Sequence, residues 1–119
     1  MQQRELGQAH TPVSAIGYGA MSFSDFYGPT DDEKSFAILD RCMDLGITHL
    51  DTSNVYGLGL SEQRIGAYLK QRGQQARDFF TIATKAGIAS KPDGSRYFNN
   101  SPEHLRKELD GSLQRLGVE

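Results

Sequence analysis

Short apolar runs alternate with longer stretches of helical period along the whole chain. The first helical stretch covers residues 30–45. Phe36, Leu39 and Met43, with Ile38, Cys42 and Leu45 beside them, recur at the spacing of one helix face. Thr30 and Glu33 form a capping-box pattern, Asp31 and Asp32 place negative charge at the positive end of the helix dipole, and Gly46 suits a left-handed stop. A second helix is predicted over 61–72, with Ser61 as its cap, Ile65, Tyr68 and Leu69 on one face, and Gly73 ending it. The third is the clearest. Ser101 caps it, Pro102 takes its first position, Leu105, Leu109, Leu113 and Leu116 line one side, and Gly117 stops it.

Between these stretches lie β-branched and aromatic runs, ITHLDTS at 47–53 and FFTIATK at 79–85, with SAIGYGAM at 14–21 ahead of them. Residues 4–7 and 12–13 predict a short hairpin at the start. Strand starts recur about every 32 residues, the length of a β-α-β unit, although no residue identities repeat at that period. Strand–helix alternation implies a parallel sheet with right-handed crossovers. Open or closed into a barrel, such a sheet gathers its chemistry at the C-terminal ends of the strands. Residues 86–100, with Gly87, Gly94, Asn99 and Asn100, read as a long polar loop, either a binding loop or a plain connector.

The 119 residues make one domain and fall short of the ~200 that a complete eight-fold β/α barrel needs. The alternation calls for another strand just where the sequence stops after Val118 and Glu119. An uncovered sheet edge invites pairing with other chains, so the expectation is a cut chain, ahead of a compact three-strand domain. With 37% hydrophobic and 24% charged residues, the composition is that of a soluble globular chain. A net charge of −2 lacks the basic footprint of a nucleic-acid or anionic-membrane partner. No apolar run approaches the ~18 residues of a spanning helix, and residues 1–10 lack the apolar region of a signal peptide. The single Cys42 excludes an internal disulfide, fits a reducing compartment, and reads as a core thiol on its helix stripe. A cytoplasmic location is expected.

Candidate chemistry concentrates at three strand ends: Gly19-Ala20-Met21, Asp51-Thr52-Ser53-Asn54 with Tyr56 soon after, and Thr84-Lys85. Asp51 and Lys85 fall at similar heights on strands ~4.8 Å apart, where a carboxylate and an ammonium are each costly alone and tolerable together. A phenol, of reference pKa ~10, gives up its proton more readily beside an ammonium, and Asp51 would keep Lys85 charged and in place. On spacing alone, a structural ion pair beside a Tyr packed in a loop carries more weight. His49 reads as packed or half-exposed, and His10 and His104 as solvent-facing. No His, Cys or carboxylate pair has metal-ligand spacing, so no metal is expected. Neither Gly17-Tyr18-Gly19 nor Gly57-Leu58-Gly59 is a phosphate-binding fingerprint.

Taken together, HLDTSNVYGLGLSEQRIGAYL, TIATKAG and SPEHLRKELDGSLQRLGVE closely resemble the aldo-keto reductases. GYGAM with the following SFSDFYGPTDDE is similar to that family's first strand and loop, nearest the branch that reduces aldehydes such as pyridoxal. The resemblance implies a parallel (β/α)8 TIM-barrel fold, of which this chain supplies about the first three β/α units and the N-terminal hairpin. It implies reduction of a carbonyl with NADP(H), or the reverse. Tyr56 resembles the family's proton donor, Lys85 the residue that tunes it, and Asp51 the partner of that lysine. Gly19, Ala20, Met21 and Asp51 match positions near the nicotinamide, while Asn54 and the loop from Ser24 to Tyr27, Phe26 included, would border the substrate. The family's catalytic His, at the end of a fourth strand, matches none of His10, His49 or His104. Two expectations follow: the 119 residues alone are inactive, and they self-associate through uncovered strand edges. The alternatives are a non-catalytic scaffold protein on the same fold and a small complete domain.

Overall fold

A computed structural model describes residues 1–119. Strands β1 (Gln3–Leu6) and β2 (Thr11–Ser14) form the N-terminal antiparallel hairpin. Then come β3 (Gly17–Gly19), a 3-10 turn (Ala20–Ser24), α1 (Asp32–Leu45), β4 (His49–Asp51) and α2 (Leu60–Arg72). The short α3 (Gln74–Phe79) leads into β5 (Thr81–Ala83), and α4 (Pro102–Leu116) closes the chain. β3, β4 and β5 make one parallel sheet in that order, as the alternation requires. Gly19, Asp51 and Ala83 stand side by side at its C-terminal edge.

The strands are shorter than the apolar runs, yet their ladder continues past them. Thr81 N–H donates to Thr48 O at 2.8 Å, Thr52 N–H to Ala83 O at 2.8 Å and Asn54 N–H to Lys85 O at 3.2 Å. Phe79 does not open a strand; it ends α3, and Phe80 beside it packs into the core. Two expected caps also move. Asp31 rather than Thr30 caps α1, its carboxylate accepting from Lys34 N at 2.8 Å, because Asp25 already holds the Thr30 N–H at 2.8 Å. Ser61 lies inside the first turn of α2, where its hydroxyl is drawn to Ala20 O and Thr52 Oγ1, both at 2.8 Å.

The polar loop at 86–100 contains a further hairpin, β6 (Ile88–Ser90) and β7 (Arg96–Phe98). Its turn is built on Pro92-Asp93-Gly94, with Asp93 Oδ1 accepting from Ser95 N at 2.9 Å and Gly94 N–H donating to Lys91 O at 2.9 Å. The leucine face of α4 divides in two. Leu116 is buried with Ser112 against α2, whereas Leu105 and Leu109 are 37% and 51% exposed, since α4 reaches α2 through its C-terminal half. No helix is long and apolar enough to cross a membrane.

The core lies between the sheet and helices α1, α2 and α4, around Phe23, Leu39, Leu50, Ile65, Tyr68 and Leu69, with Cys42 buried among them. Desolvation raises the thiol's pKa, as expected for a packing cysteine. Tyr68 is fully buried, and its hydroxyl donates to Asp40 Oδ1 at 2.8 Å. Burial first, then the Asp40 carboxylate, push the phenol up to about 12. The folded state therefore binds a proton that the unfolded chain releases near pH ~10. Stability from this group is complete below that pH and falls as pH rises toward 12, by roughly 2–3 kcal/mol in all. Urea unfolding across that window should show the decline in the native chain and a flatter profile in Tyr68→Phe. Equal slopes in the two proteins would remove Tyr68 as its source.

Candidate active site

Because Asp51 ends β4 in register with Ala83, a residue two places beyond Ala83 can turn its side chain back over the sheet edge. Lys85 does so. Its Nζ lies 2.5 Å from Asp51 Oδ1, donates to Thr52 O at 2.7 Å, and sits 4.9 Å from the centre of the Tyr56 ring. Partial burial pulls the Lys85 pKa down, but the hydrogen bonds from Asp51 and Tyr56 and their charges outweigh it, so the net shift is upward. Lys85 is thus held as an ammonium at neutral pH. The side chains of Lys85 and Asp51 remain 46% and 47% exposed, so the pair stays open to a ligand.

Tyr56 is placed by consecutive turns that link β4 to α2. Tyr56 N–H donates to Ser53 O, Leu58 N–H to Val55 O, and Ser61 N–H to Tyr56 O, each at 3.2 Å. Gly57, Leu58 and Gly59 all have positive φ, at 61°, 52° and 96°. For Leu58, 77% exposed, that backbone carries strain with no packing return. A Cβ on Gly57 would stand 2.9 Å from both Ser24 Cβ and Leu60 Cβ, so glycine lets the 3-10 turn close against the Tyr56 loop.

The closure leaves a hollow of about 150 Å³ beside Tyr56, walled by Met21, Phe26, Val55 and Ile88, with Arg96 reaching in from β7. The structure therefore brings Tyr56, Lys85 and Asp51 together, with Met21 and Phe26 at their margin. It does not bring the other two substrate candidates there. Tyr27 is 74% exposed and outside the hollow, its ring edge-on to Phe26 at 5.0 Å. Asn54 is buried and turned toward α4, donating to Glu108 Oε2 at 2.7 Å. It borders a separate hollow of about 370 Å³ shared with Tyr97, His104, Lys107 and Glu108. His104 is half-buried there rather than solvent-facing, with Nε2 buried and unpaired; His49 is half-buried too. No group of three or more His, Cys, Asp or Glu side chains is arranged to hold a metal ion.

Sequence reasoning missed Glu62. This carboxylate is fully buried, accepting from Thr84 Oγ1 at 2.6 Å and pairing with Arg115 Nε at 2.6 Å. It fastens the end of β5, next to Lys85, to α2 and α4. Its position three and seven residues before Ile65 and Leu69 puts it on the apolar face of α2, a signal visible in the sequence. Arg96 was missed as well, since it was hidden in a segment read as loop.

The dinucleotide that the resemblance implies can be tested against the strand-end floor. Gly19 is exposed at the end of β3 beside Asp51, and no atom lies within 4 Å of where its Cβ would stand. Ala20 is buried beneath the next position, and Met21 turns to the hollow. A bare backbone next to a held ammonium fits a flat nicotinamide ring.

The profile of the aldo/keto reductase family matches residues 15–119. The chain is 40% identical over 117 residues to aldo-keto reductase yakc of Schizosaccharomyces pombe, whose name carries NADP(+), covering 98% of this chain and 33% of that protein. It is 36% identical over 112 residues to D-threo-aldose 1-dehydrogenase of a Pseudomonas species, covering 87% and 33%. The holo form of aldo-keto reductase AKR11C1 from Bacillus halodurans superposes with a TM-score of 0.82 at 34% identity, over 99% of this chain and 37% of that one. The chain spans about a third of the length of these curated relatives.

Proposed function

The chain belongs to the aldo/keto reductase family, and from that premise we propose that its strand ends form part of the site of an NADP-dependent reductase converting an aldehyde or ketone to an alcohol. The fold is of (β/α)8 type, with about three β/α units present. Residues 1–119 are the N-terminal portion of the oxidoreductase domain. The observation that carries the reading is the Lys85 ammonium, fixed between Asp51 and Thr52 O and 4.9 Å from the Tyr56 ring centre.

Tyr56 donates its phenolic proton to the carbonyl oxygen. Lys85 stabilises the phenolate left behind, so the proton leaves at a smaller cost. Asp51 works through Lys85, holding the amine charged and aimed. Gly19, Ala20, Met21 and Asp51 flank the nicotinamide, and NADP(H), when bound, supplies the hydride. Phe26 walls the carbonyl's pocket; Tyr27 and Asn54 reach the substrate only if the loops that carry them turn inward on binding.

The 119 residues by themselves are inactive, bind NADPH weakly at most, and self-associate through the free edges of β3 and β5. This follows from a three-strand sheet that leaves the site open on one side, in a chain a third as long as its relatives. The protein acts in the cytoplasm. Titrating purified chain into NADPH while following the cofactor's fluorescence, with a carbonyl present, tests the reading. We expect little quenching and no oxidation. Tight binding or turnover would show that these residues suffice for a complete site.

A further inference from the structure

We infer that Arg96 selects carbonyl substrates that carry a carboxylate across a single-ring-sized apolar body from the reacting group. The inference rests on the reading of Tyr56 as proton donor and names the substrate class for that site. Ile88 pairs with Phe98 in the second hairpin and Ser90 with Arg96, so Ile88 and Arg96 project from one face. Both line the hollow beside Tyr56. The base of that hairpin is pinned where Asn99 N–H donates to Gly87 O at 2.9 Å.

The lining has an ordered polarity. Its walls, Met21, Phe26, Val55 and Ile88, are apolar, with the Tyr56 phenol and the Arg96 guanidinium as the polar groups a ligand could span. An apolar cavity of about 150 Å³ is large enough for a benzene ring. No carboxylate lines it, and the nearby Asp51 is neutralised by Lys85. Arg64, Arg72 and Arg115 are each tied to an acidic side chain, whereas Arg96 holds none. A free guanidinium facing an acid-free slot favours an anion, and its planar fork matches a carboxylate in two parallel hydrogen bonds.

The test compares 4-acetylbenzoate with acetophenone, ketones that avoid imine formation with lysines, on the full chain labelled at Tyr and Arg for NMR. We expect 4-acetylbenzoate to move the Tyr56 and Arg96 signals together, with a Kd about tenfold or more below that of acetophenone. Arg96→Gln should erase the difference, and Arg96→Lys should keep part of it. Equal affinities, a preference that survives Arg96→Gln, or perturbation of Arg96 without Tyr56 overturns the inference and leaves the Tyr56 reading standing. If neither ketone moves Tyr56, both fall.

Discussion

Replacing Gly66 by Ala is expected to destabilise the fold by about 3 kcal/mol or more, at the upper end of overpacking effects. Gly66 lies where α2 crosses α4, and an added Cβ would collide with the backbone carbonyl of Arg115 and crowd the Leu116 carbonyl. Helix propensity alone favours Ala by ~1 kcal/mol, so steric conflict decides the sign. Backbone atoms cannot rotate aside as a side chain can, and relief requires the two helices to separate. Separation uncovers Ile65, Leu69 and Leu116 and pulls Arg115 from Glu62. Gly111 on α4 is the matched control. There an added Cβ meets only Arg115 Nη1, at 3.0 Å, the movable tip of a long side chain. Urea unfolding should show a large loss for Gly66→Ala and little change or a gain for Gly111→Ala. Equal stability of Gly66→Ala and the native chain would mean that the helices cross less closely than described.

Tyr56→Phe, made in a protein competent for carbonyl reduction through this site, should lower turnover by about 10²–10⁴-fold, the range for a positioned general acid. The change removes one oxygen and keeps the ring 4.9 Å from Lys85 Nζ, so the cation–ring contact and the loop survive. Cofactor affinity should stay within a factor of about two, because the residues assigned to the nicotinamide lie on the strand ends rather than in the Tyr56 loop. Single-turnover reduction with saturating NADPH separates the two effects. A variant that keeps turnover within a few fold would transfer proton donation elsewhere and favour a scaffold role for the fold.

The parts legible in the sequence were those where local and tertiary preferences agree. Helices α1, α2 and α4 each carry an apolar stripe and a glycine stop, and β3, β4 and β5 sit inside the β-branched and aromatic runs. The approach of Asp51 to Lys85 could be anticipated because parallel register ties height on one strand to height on the next. Features decided by competition were not legible. Thr30 loses the α1 cap because Asp25 takes its N–H first, and Ser61 leaves a capping role for partners 9 and 41 residues away in sequence. Asn54 has the polarity of a substrate contact, yet Glu108 lies 54 positions along the chain and turns it outward. Pro92-Asp93-Gly94 marked a tight turn, but its flanking runs were too short and polar to announce strands.

The buried carboxylate at position 62 has an evolutionary consequence. Both its oxygens are engaged, one by the Thr84 hydroxyl and the other by the Arg115 guanidinium. Loss of any one member strands the others without water to replace it. Across related genes these three sites should therefore drift as a set, a swap at one being rescued only by matched swaps at the rest.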